Sequence, residues 1–140
     1  MVHALEKVHR LLVPGGLLIN VHDRPRPPWI DVEENERAVR VGRILDDSDF
    51  HLLRRTDAAL AQVEASGLYA VEERIVFEYN TRMDSPAAFD DWLADTWESM
   101  YITPEDRARL DAAMAGAGDG AEIVIRWRAR MSRLRAIEGQ

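Results

Sequence analysis

Pro14-Gly15-Gly16 separates two hydrophobic patterns that no single element can carry. Before it, Ala4, Leu5, Val8, Leu11 and Leu12 recur on one face of a 3.6-residue period, and the spacing predicts a helix. After it, Leu17-Leu18-Ile19-Asn20-Val21-His22 is a mostly apolar run of strand length, the pattern of a strand covered on both faces. A helix stopped by proline and glycine that feeds directly into such a strand restricts the chain to folds that layer helices on a sheet.

The rest of the chain keeps this alternation. Asp23-Arg24-Pro25-Arg26-Pro27-Pro28-Trp29 is excluded from regular structure, because its prolines lack donors and push the preceding residues toward extended conformations. Ile30-Asp31-Val32 and Val39-Arg40-Val41 alternate at period two around Glu34-Asn35-Glu36, which predicts a β-hairpin. Asp46-Asp47-Ser48-Asp49 is a polar break. A helix is expected from about Asp57 to Ser66, stopped by Gly67, and a strand over residues 69–80 with Val71, Glu73, Ile75, Phe77 and Tyr79 on one face. Ser85-Pro86 and Thr103-Pro104-Glu105-Asp106 each read as an N-cap followed by proline at the first helical position. Between them Phe89, Trp92, Leu93, Trp97 and Met100 form a stripe at helical spacing. Residues 121–131 alternate as a strand, with Ile123, Ile125, Trp127, Ala129 and Met131 against Val124, Arg126, Arg128 and Arg130.

The expectation is one domain over residues 1–140, long enough to bury a real core. A hairpin and loop insert occupies 24–56 and a helical insert 85–116. With no cysteine, disulfides and thiolate chemistry are excluded. No apolar run approaches a membrane span, and the N-terminus lacks the apolar stretch of a signal peptide, so a cytoplasmic location and no membrane partner are expected. A net charge of −7 argues against wholesale nucleic-acid binding, which needs a basic surface.

Residues 4–19, from Ala4 through Leu12-Val13-Pro14-Gly15-Gly16 into Leu17-Leu18-Ile19, resemble a segment of class I S-adenosylmethionine-dependent methyltransferases. In that family the helix after the fourth strand ends in a Leu-x-Pro-Gly-Gly turn and enters the fifth strand. The later elements are similar in order: the helix and Gly67-Leu68-Tyr69 exit, a sixth strand at 69–80, and an antiparallel seventh strand inserted between the other two. The resemblance implies an α/β fold holding the C-terminal half of a doubly wound, Rossmann-like methyltransferase sheet, with a β-hairpin insert and an extra helical pair. The glycine-rich cofactor loop of the family and its partner acid would lie upstream of Pro14, where this sequence has 13 residues. Gly15-Gly16 and Gly116-Ala117-Gly118-Asp119-Gly120 each precede a predicted strand, the wrong order for a phosphate-cradling loop. No cofactor is therefore expected on this chain alone, and S-adenosylmethionine only if the missing half is supplied.

Ligands of open α/β sheets bind beyond the C-terminal ends of parallel strands. His22 and Asp23 sit at such an end and are the candidate catalytic pair, with Arg24, Trp29, Trp97 and Tyr101 as candidate substrate contacts. The competing reading of His22-Asp23 is a strand end with an Asx turn into Pro25, and that of the aromatic residues is plain core. Asp46, Asp47, Asp49 and His51 are oxygen-rich but lack the pattern of a calcium loop, and a solvated turn explains them. Arg126, Arg128 and Arg130 share a strand face and can grip an anion, whereas cross-strand pairs with Glu72 and Glu78 explain them more simply.

Three functions compete: a methyltransferase-like half that needs a separate cofactor-binding partner, a module that binds a small molecule or a partner, and a cofactor-independent enzyme using His22 and Asp23. The unpaired edge of the 17–22 strand, or an uncovered sheet face, is expected to drive a homodimer unless the 30–45 hairpin or the 85–115 helices cover it.

Overall fold

The computed structural model describes residues 1–96 and 98–137. These residues form an α/β protein with four helices and a mostly antiparallel sheet. The chain forms two compact units, and two long strands, β5 (Tyr69–Met83) and β7 (Glu122–Ala136), contribute residues to both. Among the described residues no helix is long and apolar enough to cross a membrane.

The first unit takes residues 1–25 and 51–77 and the chain from Ala129 onward. It holds α1 (Val2–Leu11), β1 (Leu17–Asp23) and α2 (His51–Ala65) with the adjoining parts of β5 and β7. Gly15 supplies the left-handed conformation of the turn between α1 and β1, at φ +70°. β1 pairs antiparallel with β7 from Leu17↔Arg135 to Asp23↔Ala129, and β5 pairs with β7 as well, so β7 lies between them. The core is Leu5, Leu60, Val63, Tyr69, Leu134 and Ala136, with Leu18 packed against it. The Tyr69 hydroxyl donates to the Leu5 carbonyl at 2.9 Å, which satisfies a buried polar group where α1 passes the start of β5.

Two expectations for this unit need correction. β1 is not covered on both faces: Leu17, Ile19 and Val21 are 47%, 51% and 56% exposed, while Leu18 between them packs on the core. Leu18 faces the cluster that holds Leu5 of α1 and Leu60 and Val63 of α2. α2 begins at His51 rather than near Asp57. Its apolar stripe is Thr56, Ala59, Leu60 and Val63, and the preceding turn is mostly exposed, so hydrophobic spacing does not reveal the start. The strand expected over residues 69–80 is present as β5, which runs on to Met83, and residues 70–80 are all exposed.

The second unit takes residues 26–50 and 78–128. It contains β2 (Trp29–Glu34), β3 (Arg37–Arg43), β4 (Leu45–Asp46), α3 (Pro86–Thr96), β6 (Met100–Tyr101) and α4 (Pro104–Gly116). β2 and β3 form the expected hairpin, closed by Asn35 and Glu36 at φ +46° and +66°, the geometry of a type I′ turn. The other edge of β2 pairs antiparallel with β7 from Trp29↔Arg126 to Glu33↔Glu122. Ile30, Ile44, Phe89, Leu110, Ile123, Val124 and Ile125 are completely buried. Trp127 stacks on Tyr79 and meets Trp92 edge-on, each at 6.2 Å.

Thr103 caps α4 by accepting from the Asp106 amide at 3.1 Å. The Asp106 carboxylate accepts in turn from the Arg43 amide at 3.2 Å. That close approach requires Gly42, since a Cβ there would lie 2.4 Å from the Asp106 carboxyl carbon. The stripe from Phe89 to Met100 is not one helix face: α3 ends at Thr96, and Met100 belongs to β6.

Candidate functional site

β1 ends where the sequence places its candidate catalytic pair. Consecutive strand residues point to opposite faces, so His22 and Asp23 diverge. The acid that meets His22 is Asp57, in the second turn of α2, and not its neighbour Asp23. His22 Nε2 donates to Asp57 Oδ1 at 2.7 Å. The Asn20 amide donates to His22 Nδ1 at 2.9 Å, from two residues earlier on the same face. Both ring nitrogens are therefore engaged, and the ring is only 8% exposed.

Two arginines complete the cluster. Arg130 donates to Asp57 Oδ1 at 3.3 Å, and Arg24 Nη1 lies 3.8 Å from Asp57 Oδ2. That Arg24 nitrogen is buried and has no hydrogen-bond partner among the described residues. One carboxylate thus anchors an imidazole and two guanidinium groups. A base must present a free lone pair to a substrate proton. With Nε2–H given to Asp57, the Nδ1 lone pair accepts from Asn20, and the cluster orders the end of β1.

Asp57 and Asn20 are the members that the sequence does not mark as site residues, and Arg130 is marked only as one of three arginines able to grip an anion. Asn20 is the one with a local signal, since it stands two positions from His22 in an otherwise apolar strand. Asp57 is separated from His22 by 35 residues and Arg130 from Asp57 by 73, beyond any spacing rule.

Trp29 and Tyr101 belong to the second unit. Trp29 opens β2, 39% exposed, with the guanidinium carbons of Arg40 and Arg43 4.5 and 4.9 Å from its ring centre. Tyr101 pairs with Leu45 in the short β4–β6 ladder and is 40% exposed. Trp97 lies outside the described residues.

Asp31 lies beneath the Trp29 face and is 3% exposed. Arg40 donates to it at 2.9 Å, and Arg126 donates to both Asp31 and Glu33. Burial pushes the Asp31 carboxyl up, but the hydrogen bonds from Arg40 and Arg126 outweigh it and hold the group below the usual carboxylate range.

The ion-pair reading of the last strand holds in kind while most partners differ. Arg128 pairs with Glu78 as expected, but Arg126 turns to β2 and Arg130 to α2, and Glu72 takes Arg133 and Arg135. The Asp46 carboxylate accepts from the amides of Ser48 and Phe50 and is occupied by its own turn. Among the described residues no group of three histidine or acidic side chains is arranged to hold a metal ion.

No family model, curated protein or solved structure matches the chain.

Proposed function

We propose that this chain is a methyltransferase-like half-fold that works as a binding module, pairing with a second copy through β1, and is not an autonomous methyltransferase. The observation that carries the reading is the free edge of β1. Among the described residues the strand is the terminal member of its ladder, and its pairing with β7 leaves the other row of backbone N–H and C=O groups without a strand. Neither proline nor lysine interrupts residues 17–22, and Leu17, Ile19 and Val21 stand exposed beside that edge. A two-fold axis beside β1 lets two copies extend the ladder antiparallel and sets the two apolar rows side by side, and closed two-fold dimers are the commonest assemblies.

Two further features support the reading. The element order α1–β1–α2–β5–β7, with β7 between β1 and β5, follows the order of the resemblance. His22 is engaged at both ring nitrogens, by Asn20 and by Asp57, which favours a structural role for the end of β1 over base catalysis.

Light scattering across a micromolar dilution range tests the pairing. Two chains per particle are expected for the wild type and one for the double variant Ile19→Lys, Val21→Lys. A single-chain mass for the wild type at every concentration overturns the dimer. Titration calorimetry with S-adenosylmethionine should show no saturable heat, and a one-to-one micromolar isotherm would overturn the cofactor reading.

A further inference from the structure

A cavity of about 340 Å³ opens beside Trp29 within the second unit. That volume lies in the range of small-molecule sites. Its lining is unusual for a chain of net charge −7: five arginines face it against a single carboxylate, Glu78.

The arginines divide into two sets. Arg40 and Arg126 are neutralised from behind by Asp31 and Glu33, and Arg128 by Glu78 at 3.0 Å. Arg26 and Arg43 have no carboxylate partner among the described residues. Arg43 spends its side chain on the Trp29 ring, which attracts the cation without consuming its N–H donors. Two uncompensated guanidinium groups therefore border one cavity.

The backbone builds this concentration of charge. Arg43 and Arg126 lie directly opposite Trp29 in the two ladders of β2. Arg40 and Arg43 are three residues apart, so a regular strand would send them to opposite faces. A register shift between Ile30 and Asp31 adds one residue to β3 and brings Arg40 opposite Asp31, onto the Trp29 face. Bulges of this kind re-aim side chains and recur beside functional sites. Pro27 and Pro28 form part of the wall, and their fixed φ angles leave little conformational freedom to lose on binding.

We propose that this cavity binds a small phosphate monoester in its doubly charged form. Two unpaired guanidinium groups match two negative charges, and the planar fork of arginine suits the oxygens of a phosphate. The three neutralised arginines supply further donors around the same space. The inference stands apart from the pairing of β1, because every residue it uses belongs to the second unit.

Calorimetric titration of the full chain with phenyl phosphate at constant ionic strength, near pH 7.5, tests it. Saturable one-to-one binding is expected, weakened at least about tenfold by Arg26→Gln and by Arg43→Gln. Arg109→Gln on the exposed face of α4 should leave it unchanged. Benzenesulfonate, with one charge fewer, should bind more weakly. Affinity should fall as the pH drops through about 6, where the phosphate takes up its second proton. Arg26 is exposed in an irregular segment, so its variant tests the site even if Arg43→Gln disturbs the hairpin. Absence of saturation at millimolar ligand, equal binding of the sulfonate, or unchanged affinity in Arg26→Gln overturns the proposal.

Discussion

Arg126 and Arg130 stand four residues apart on β7, and each meets an aspartate from another element. Around Asp57 one carboxylate gathers an imidazole and two guanidinium groups, and the donors converge on it. Around Asp31 the order is reversed: the carboxylate lies buried, and its arginines spread above it toward an open cavity. The first arrangement closes on itself. The second holds two arginines in place at the margin of a space that two unpaired arginines also border. The same residue types can seal a strand end or support a ligand site, and the depth of the carboxylate decides which.

The largest effect should come from Asp31→Asn. It leaves Arg40 and Arg126 short of their common acceptor, with Glu33 retained by Arg126. A fully buried broken pair costs roughly 3–5 kcal/mol. Arg40 is half exposed, so a loss of about 2–3 kcal/mol is expected in denaturant unfolding. A loss below about 0.5 kcal/mol, the usual scatter for surface substitutions, would show that Asp31 does not organise the cavity floor.

The acid side of the stability curve sharpens the same point. The folded Asp31 carboxyl titrates below its ordinary value of 3.8, so the unfolded chain takes up that proton first as the pH falls. The stabilisation is present above the ordinary value and is lost as the pH drops through the folded value. Asp31→Asn should flatten this part of the wild-type decline. Parallel acid-unfolding curves for the two proteins would contradict the assignment.

Asp57→Asn should cost less, about 1–2 kcal/mol, because Asp57 and Arg130 are both partly exposed and an asparagine oxygen can still accept from His22. The ring resonances of His22 provide the readout, and a clear shift on substitution is expected. An unmoved His22 spectrum would mean that the Asn20–His22–Asp57 chain is not formed in solution.

Arg128→Gln is the smallest change. Arg128 and Glu78 are each more than half exposed, and such pairs contribute about 0–1 kcal/mol. Thermal unfolding should barely move. A large loss would break the contrast between paired surface arginines and those above Asp31.

Much of the fold is legible in local pattern. Asn35 at a hairpin tip, Thr103-Pro104 at a helix start and Gly67 after a helix each carry a conformational preference that depends on the residue itself. The start of α2 is not legible, because Leu52, Arg54 and Arg55 face solvent and leave no apolar period to read. The exposed rows of β1 and β5 are likewise hidden, since an apolar strand reads the same whether or not a layer covers it.

The sequence by itself determined the kinds and order of the longer elements, the two-residue strands β4 and β6 excepted, and the alternation that buries one face of β7. Only the tertiary structure decided which charges meet. His22 finds Asp57 at a separation of 35 residues and Arg126 finds Asp31 at 95. A one-residue register shift places Arg40 and Arg43 together against the period of their own strand. Local pattern encodes which side chains share a face of an element. The neighbour across a ladder is set by register, and register is a property of two strands at once.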